Sequence, residues 1–121
     1  CKRRGVIAQR YTEQLSGITQ TPTILSNATT VWAQYTVVSK HRDRIASVLQ
    51  SQGIPTALFY PKPLHTQKAY KKFPIANNGL KNTERLAQEV ISLPMHAYLE
   101  NTVQDLIIDY VQLALKNQKI L

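Results

Sequence analysis

A chain of 121 residues, 43% hydrophobic and 18% charged, is long enough to bury one domain core and too apolar for a disordered or low-complexity segment. Its formal charge is +8 and its one cysteine is Cys1, which excludes an internal disulfide framework and a cysteine-based zinc site. No secretory or membrane segment is expected: Gln9, Arg10, Thr12, Glu13 and Gln14 interrupt any apolar run after the basic start, and the long uncharged stretch from Gln14 to Ser39 is rich in Thr, Ser, Gln and Asn.

Residues 2–16 carry Ile7, Tyr11 and Leu15 at helical spacing, with Val6 widening the stripe and Gly17 placed to close it. Thr19 to Thr30, with Pro22, reads as a loop or an irregular extended piece. Val31 to Val38 is dense in β-branched and aromatic residues and predicts a strand. Lys40 to Gln52 returns to helical spacing through Ile45, Val48 and Leu49 before Gly53, and Ile54 to Tyr60 predicts a second strand. Pro61, Pro63 and Pro74 then exclude a regular element, so Pro61 to Gly79 is expected as a long basic loop, a length that in compact domains is usually functional or disordered. A helix resumes near Thr83 with Leu86, Ala87 and Val90 on one side, followed by a short strand Ile91-Ser92-Leu93 stopped by Pro94. Asn101 is placed to cap a last helix from Thr102 to about Lys116, with Gln104 at the capping-box position and Val103, Ile107, Tyr110 and Ala114 as its buried stripe. This order implies one small α/β layer structure.

Charge is uneven along the chain. Residues 1–72 hold eleven cations against two anions, a net +9, and residues 73–121 hold four against five, a net −1. A field of that sign attracts phosphates on nucleic acid, a nucleotide-sugar or a cofactor, and a solvated basic surface gives the same pattern. One function class that follows is a small basic binding module for RNA or another polyanion, although only Tyr70 and Phe73 offer stacking platforms beside Lys68, Lys71 and Lys72.

Catalytic signatures are sparse. His41, His65 and His96 have no helical partner that would preform a metal face; His41 reads as solvated and His96 as a hydrogen-bonded structural histidine. No serine sits in a glycine-flanked elbow and no glycine-rich phosphate loop is present. Asp105 and Asp109 share a helix face, where a solvated edge is the simpler reading than an acid/base pair. The informative run is Phe59-Tyr60-Pro61-Lys62-Pro63-Leu64-His65. A proline-stiffened turn after a strand holds side chains at low entropic cost, and a phenol and an imidazole suit sugar hydroxyls or a phosphate. A loop packed by its own aromatics accounts equally for the spacing.

In order, Arg10-Tyr11 with Leu15, Trp32-Ala33-Gln34-Tyr35-Thr36, Arg42-Asp43 with Leu49, Gly53-Ile54-Pro55-Thr56, Tyr60-Pro61-Lys62-Pro63-Leu64-His65-Thr66-Gln67 and Ile91-Ser92-Leu93-Pro94-Met95-His96 together resemble the C-terminal part of nucleotide-sugar aminotransferases of the DegT family, from residue 3 to about residue 112. The resemblance implies a pyridoxal phosphate enzyme of fold type I. Such enzymes act as cytoplasmic homodimers in cell-surface polysaccharide biosynthesis and move an amino group from an amino acid, usually glutamate, to a nucleotide-linked keto-sugar. It further implies that residues 1–121 form a single small domain: an α+β-like unit with a mostly antiparallel sheet of three to four strands and helices on one face. The cofactor-holding lysine would lie in a large domain upstream of residue 1, so the segment alone is expected to be inactive, and nucleic acid is not an expected partner. Tyr60 and His65 match the family's sugar-contacting pattern. Phe59 stands where the family often has histidine, which favours packing or stacking there, and Lys62 is similar to members acting on 3-keto sugars that bear an acidic group.

Overall fold

The computed structural model describes residues 2–116, so Cys1 lies outside the described residues. The elements run α1 (Lys2–Leu15), β1 (Tyr35–Val38), α2 (Arg42–Ser51), a 3-10 turn (Leu64–Thr66), α3 (Lys81–Glu89), β2 (Val90–Leu93) and α4 (Asn101–Leu115). No helix among the described residues is long and apolar enough to cross a membrane.

β1 and β2 pair antiparallel, with Tyr35 opposite Leu93 and Val37 opposite Ile91. Because side chains alternate across a strand, these four turn one face inward and join Ile7, Tyr11, Ile45, Leu49, Ile107 and Val111 in a single buried cluster with α1, α2 and α4. On the opposite face Thr36 Oγ1 and Ser92 Oγ lie 2.7 Å apart.

The mixed fold matches expectation, but the sheet has two strands rather than three or four. The missing outer strands survive as single rungs. Gln20 exchanges both backbone bonds with Val38, and Ala57 exchanges both with Ser92. The next hydrogen-bonded rungs of these ladders would pair residue 22 with 36 and residue 55 with 94. Positions 22, 55 and 94 are prolines and have no N–H to donate, so neither ladder can extend there. The expected strand at 31–38 is likewise shortened to Tyr35–Val38, because Trp32 has φ +50°, a left-handed conformation incompatible with extended pairing.

The helices follow their apolar spacing with two shifts of face. In α1, Ile7, Tyr11 and Leu15 are buried, but Val6 is 68% exposed and Ala8 is fully buried in its place. In α4, Val103 is exposed and Tyr110 only partly buried, whereas Gln104, Ile108, Val111 and Leu115 join Ile107 and Ala114 inside. The expected cap also differs. Asn101 is already helical, the N-cap is Glu100, and no side chain bonds the cap. Gln104 therefore stands one position beyond the capping-box site, and its Nε2 donates to the Ile7 carbonyl at 2.8 Å. That bond, the Arg10–Asp105 ion pair and the Gln112–Gln14 bond clamp α4 along α1. After α2, Gly53 at φ +70° closes a Schellman motif, with its own N–H on Gln50 and the Ile54 N–H on Leu49.

Candidate functional site at the turn after Ala57

Downstream of the Ala57 rung the chain leaves the core. Tyr60 turns it with φ +54°, a conformation that ordinarily disfavours a non-glycine residue by about 1 kcal/mol or more. Phe59 is 43% and Tyr60 87% exposed, and Lys62 is exposed beside them. The expected strand over 54–60 thus reduces to the Ala57 bridge. The turn is tightened from within: Thr66 Oγ1 donates to the Pro63 carbonyl at 2.8 Å, and Gln67 Nε2 donates to the Lys62 carbonyl at 3.2 Å.

Tyr60 and His65 occupy different environments. The Tyr60 phenol stands in solvent. The His65 side chain is only 13% exposed, and its Nε2 lies 2.8 Å from Oε1 of Glu84 in the first turn of α3. A carboxylate only accepts, so Nε2 carries the proton and Nδ1 is the acceptor of the neutral ring. Glu84 is absent from the sequence-based set; it lies nineteen positions beyond His65, across a proline-broken loop, and no local spacing links them.

Two clefts are described. The larger, about 1070 Å³, runs between α4 and the turn after α1 and is lined by Ile18, Lys40, His41, Asp109, Tyr110 and Leu113 among others. The smaller, about 580 Å³, lies between residues 20–34 and the outer sheet face. Neither is lined by Phe59, Tyr60, Lys62 or His65, so the turn faces no described cleft of this chain.

In the core, the phenols are fixed. Tyr11 and Tyr35 stack at 4.9 Å, and the Tyr11 hydroxyl donates to the Pro94 carbonyl at 3.0 Å where β2 ends. Thr12 Oγ1 donates to Ala8, so the Tyr35 hydroxyl 2.8 Å away is the donor to Thr12. Burial pushes the pKa of both phenols upward.

Several cations of the basic half hold structure. Arg10 pairs with Asp105, and Arg42, only 8% exposed, reaches the Ala87 carbonyl at 3.4 Å and the Val90 carbonyl at 3.2 Å, where α3 ends. His96 Nδ1 accepts from the Tyr98 N–H at 3.2 Å, the structural role expected of it. Every described lysine is exposed, whereas a lysine that carries a carbonyl cofactor needs a desolvated site. No described lysine stands in such a site.

The chain resembles known proteins over most of its length. A crystal structure of an aminotransferase from Brucella abortus superposes with a TM-score of 0.88 at 40% identity, covering 92% of this chain and 30% of that one. A UDP-2-acetamido-2-deoxy-3-oxo-D-glucuronate aminotransferase of Pseudomonas aeruginosa is 39% identical over 84 residues, 66% of this chain and 21% of its own. A dTDP-3-amino-3,4,6-trideoxy-alpha-D-glucose transaminase of Streptomyces venezuelae is 32% identical over 112 residues, 91% of this chain and 30% of its own. The chain thus spans less than a third of the length of each. With residues 1–112 matching its pattern, the chain belongs to the DegT/DnrJ/EryC1/StrS aminotransferase family.

Proposed function

We propose that residues 1–121 are the C-terminal small domain of a longer pyridoxal phosphate-dependent aminotransferase. The enzyme transfers an amino group from an amino acid, with glutamate the expected donor, to a nucleotide-linked keto-sugar, and works as a cytoplasmic homodimer. The observation that carries this reading is the turn itself: a strained, solvent-facing Tyr60 and an oriented His65, at the positions of the family's sugar-contacting pattern. A surface of that kind suits one wall of a site whose other walls lie on a neighbouring lobe. Around it Leu58, Phe59, Leu64, Tyr70, Phe73 and Ile75 expose apolar surface, as expected of a segment that another lobe covers.

In this reading Tyr60 anchors a sugar hydroxyl, Phe59 packs on the ring, and Lys62 pairs with an acidic substituent, which favours a sugar such as the 3-oxo-glucuronate in the name of the Pseudomonas aeruginosa relative. When bound, pyridoxal phosphate supplies the electron sink and stores the amino group between half-reactions. The upstream lobe holds it, in keeping with the exposure of every described lysine of this segment. This chain supplies shape and polar anchoring.

The test is to read the coding sequence upstream of Cys1 and to assay the complete gene product with glutamate and UDP-linked 3-keto sugars, acidic and neutral. Formation of 2-oxoglutarate that depends on the sugar, and is greater with the acidic one, supports the reading. An upstream sequence without a cofactor-binding α/β lobe overturns it.

A further inference from the structure

We infer that Glu84 is a positioning residue for the Tyr60–His65 turn: by holding the His65 ring it sets the affinity of the segment for the sugar end of the substrate. The inference rests on the function proposed above and goes beyond it, because Glu84 touches no substrate in that reading.

Connectivity carries the argument. Residues 58–66 bond mainly within the turn or to Gln67 just beyond it. Among the described residues, the hydrogen bond from His65 Nε2 to Glu84 Oε1 is the one that ties this stretch to a regular element of the fold. The anchor at the other end is firm. Glu84 lies in the first turn of α3, where the helix dipole favours its negative charge, and buried Arg42 of α2 grips the carbonyls at the far end of α3. A line of contact therefore runs from the core through Arg42, α3 and Glu84 to His65.

The bond does two things. It orients the His65 ring through its Nε2–H donor, and it restrains the backbone whose left-handed residue, Tyr60, is 87% exposed and has no packing of its own to hold it. Such conformations persist where the surroundings over-determine them. Without Glu84 the turn relaxes and the phenol samples many directions, which weakens binding of the sugar more than the chemical step.

The test uses the complete gene product with Glu84→Ala and Glu84→Gln. Glu84 is half-exposed, so both variants are expected to fold. Amide exchange across residues 59–67 should rise about tenfold in Glu84→Ala with β2 and α4 unchanged, and KM for the nucleotide-sugar should rise by about tenfold, while kcat and the KM for the amino donor hold within about twofold. Glu84→Gln keeps an acceptor oxygen and should restore most of both. Unchanged exchange in Glu84→Ala overturns the proposal, as does an equal loss in the two variants or a fall in kcat alone. If the unmodified protein neither binds a nucleotide-sugar nor transfers an amino group, the function proposed above falls and the assignment to sugar affinity with it; exchange then still decides whether Glu84 holds the turn.

Discussion

No described residue between Ile54 and Ala87 is buried, whereas the flanking segments supply every member of the core cluster. The two halves of that contrast are built by different means. The flanks are held by interdigitated Leu, Ile, Val and Tyr side chains. The proline-rich span is held by a few directional bonds and by prolines that limit what its backbone can do. Trp32 and Tyr60 condense the difference, since both adopt positive φ. Trp32 is held by packing on the core, 5.6 Å from the Tyr35 ring, and Tyr60 stands in solvent at the end of a bonded turn. Rigid packing on one side and tethered exposure on the other is the arrangement expected of a scaffold that presents a binding loop.

The sharpest way to break the contrast is to truncate matched leucines. Leu49 is fully buried in α2, and Leu64 is 58% exposed in the loop. Leu49→Ala should destabilise by about 3 kcal/mol through lost burial and a residual cavity, and Leu64→Ala by less than about 0.5 kcal/mol. Urea unfolding of both variants measures the difference, and equal losses would mean that the loop is packed as tightly as the core.

Next in size is Arg42. Its removal leaves the Ala87 and Val90 carbonyls without their donor, so Arg42→Ala should cost about 2 kcal/mol. Lysine should restore it only in part: one ammonium can stand where Nη1 bonds both carbonyls, but it lacks the Nε–H that also bonds Asp43 and orients the group. Amide exchange should localise the loss to α3, the element that links the core to the turn.

Tyr11 sharpens the core side of the comparison. Tyr11→Phe removes the bond to the Pro94 carbonyl and should cost about 1 kcal/mol at neutral pH. Burial first, and the neighbouring Tyr35 second, raise its pKa above the usual 10. The folded protein therefore keeps a proton that the unfolded chain has lost. Stability from this group is complete below about pH 10 and disappears as pH rises through the folded value. Urea midpoints of the parent protein should fall above pH 10, and those of Tyr11→Phe should fall less steeply.

These outcomes also mark what the sequence makes legible. Helix spacing identifies Ile7, Tyr11, Leu15, Ile45 and Leu49 as core, because a 3.6-residue repeat is a local signal. The faces of Val6 and Val103 are misassigned for the same reason: both extend an apolar stripe in sequence, and the long-range bonds Gln104–Ile7 and Arg10–Asp105 help fix how α1 and α4 rotate against each other. The outer strands show β-branched composition but fail at prolines in the hydrogen-bonding register, which requires knowing the partner strand. At the site, Phe59, Tyr60, Lys62 and His65 are legible as a proline-framed run in which Tyr60 and His65 resemble a family pattern and Phe59 departs from it. Glu84 is not, since its meaning arises only when α3 folds back on the loop.

The smallest effect on stability, at Tyr60, separates strain from recognition. Glycine adopts φ +54° without a Cβ penalty, so Tyr60→Gly relieves the folded turn, but it also gives the unfolded chain more freedom. The two contributions oppose each other, and the net change should stay within about 0.5 kcal/mol. Tyr60→Phe keeps the ring and the backbone conformation and removes only the hydroxyl, so its stability should match the parent. If the phenol contacts the sugar, the two substitutions diverge in binding. Phenylalanine should raise KM for the nucleotide-sugar about tenfold through the lost hydrogen bond, and glycine should raise it further, because the preset direction of the side chain disappears with the side chain. Parent-like affinity in both variants would leave Tyr60 as a strained surface residue and place recognition elsewhere on the loop, with Lys62 the next position to replace.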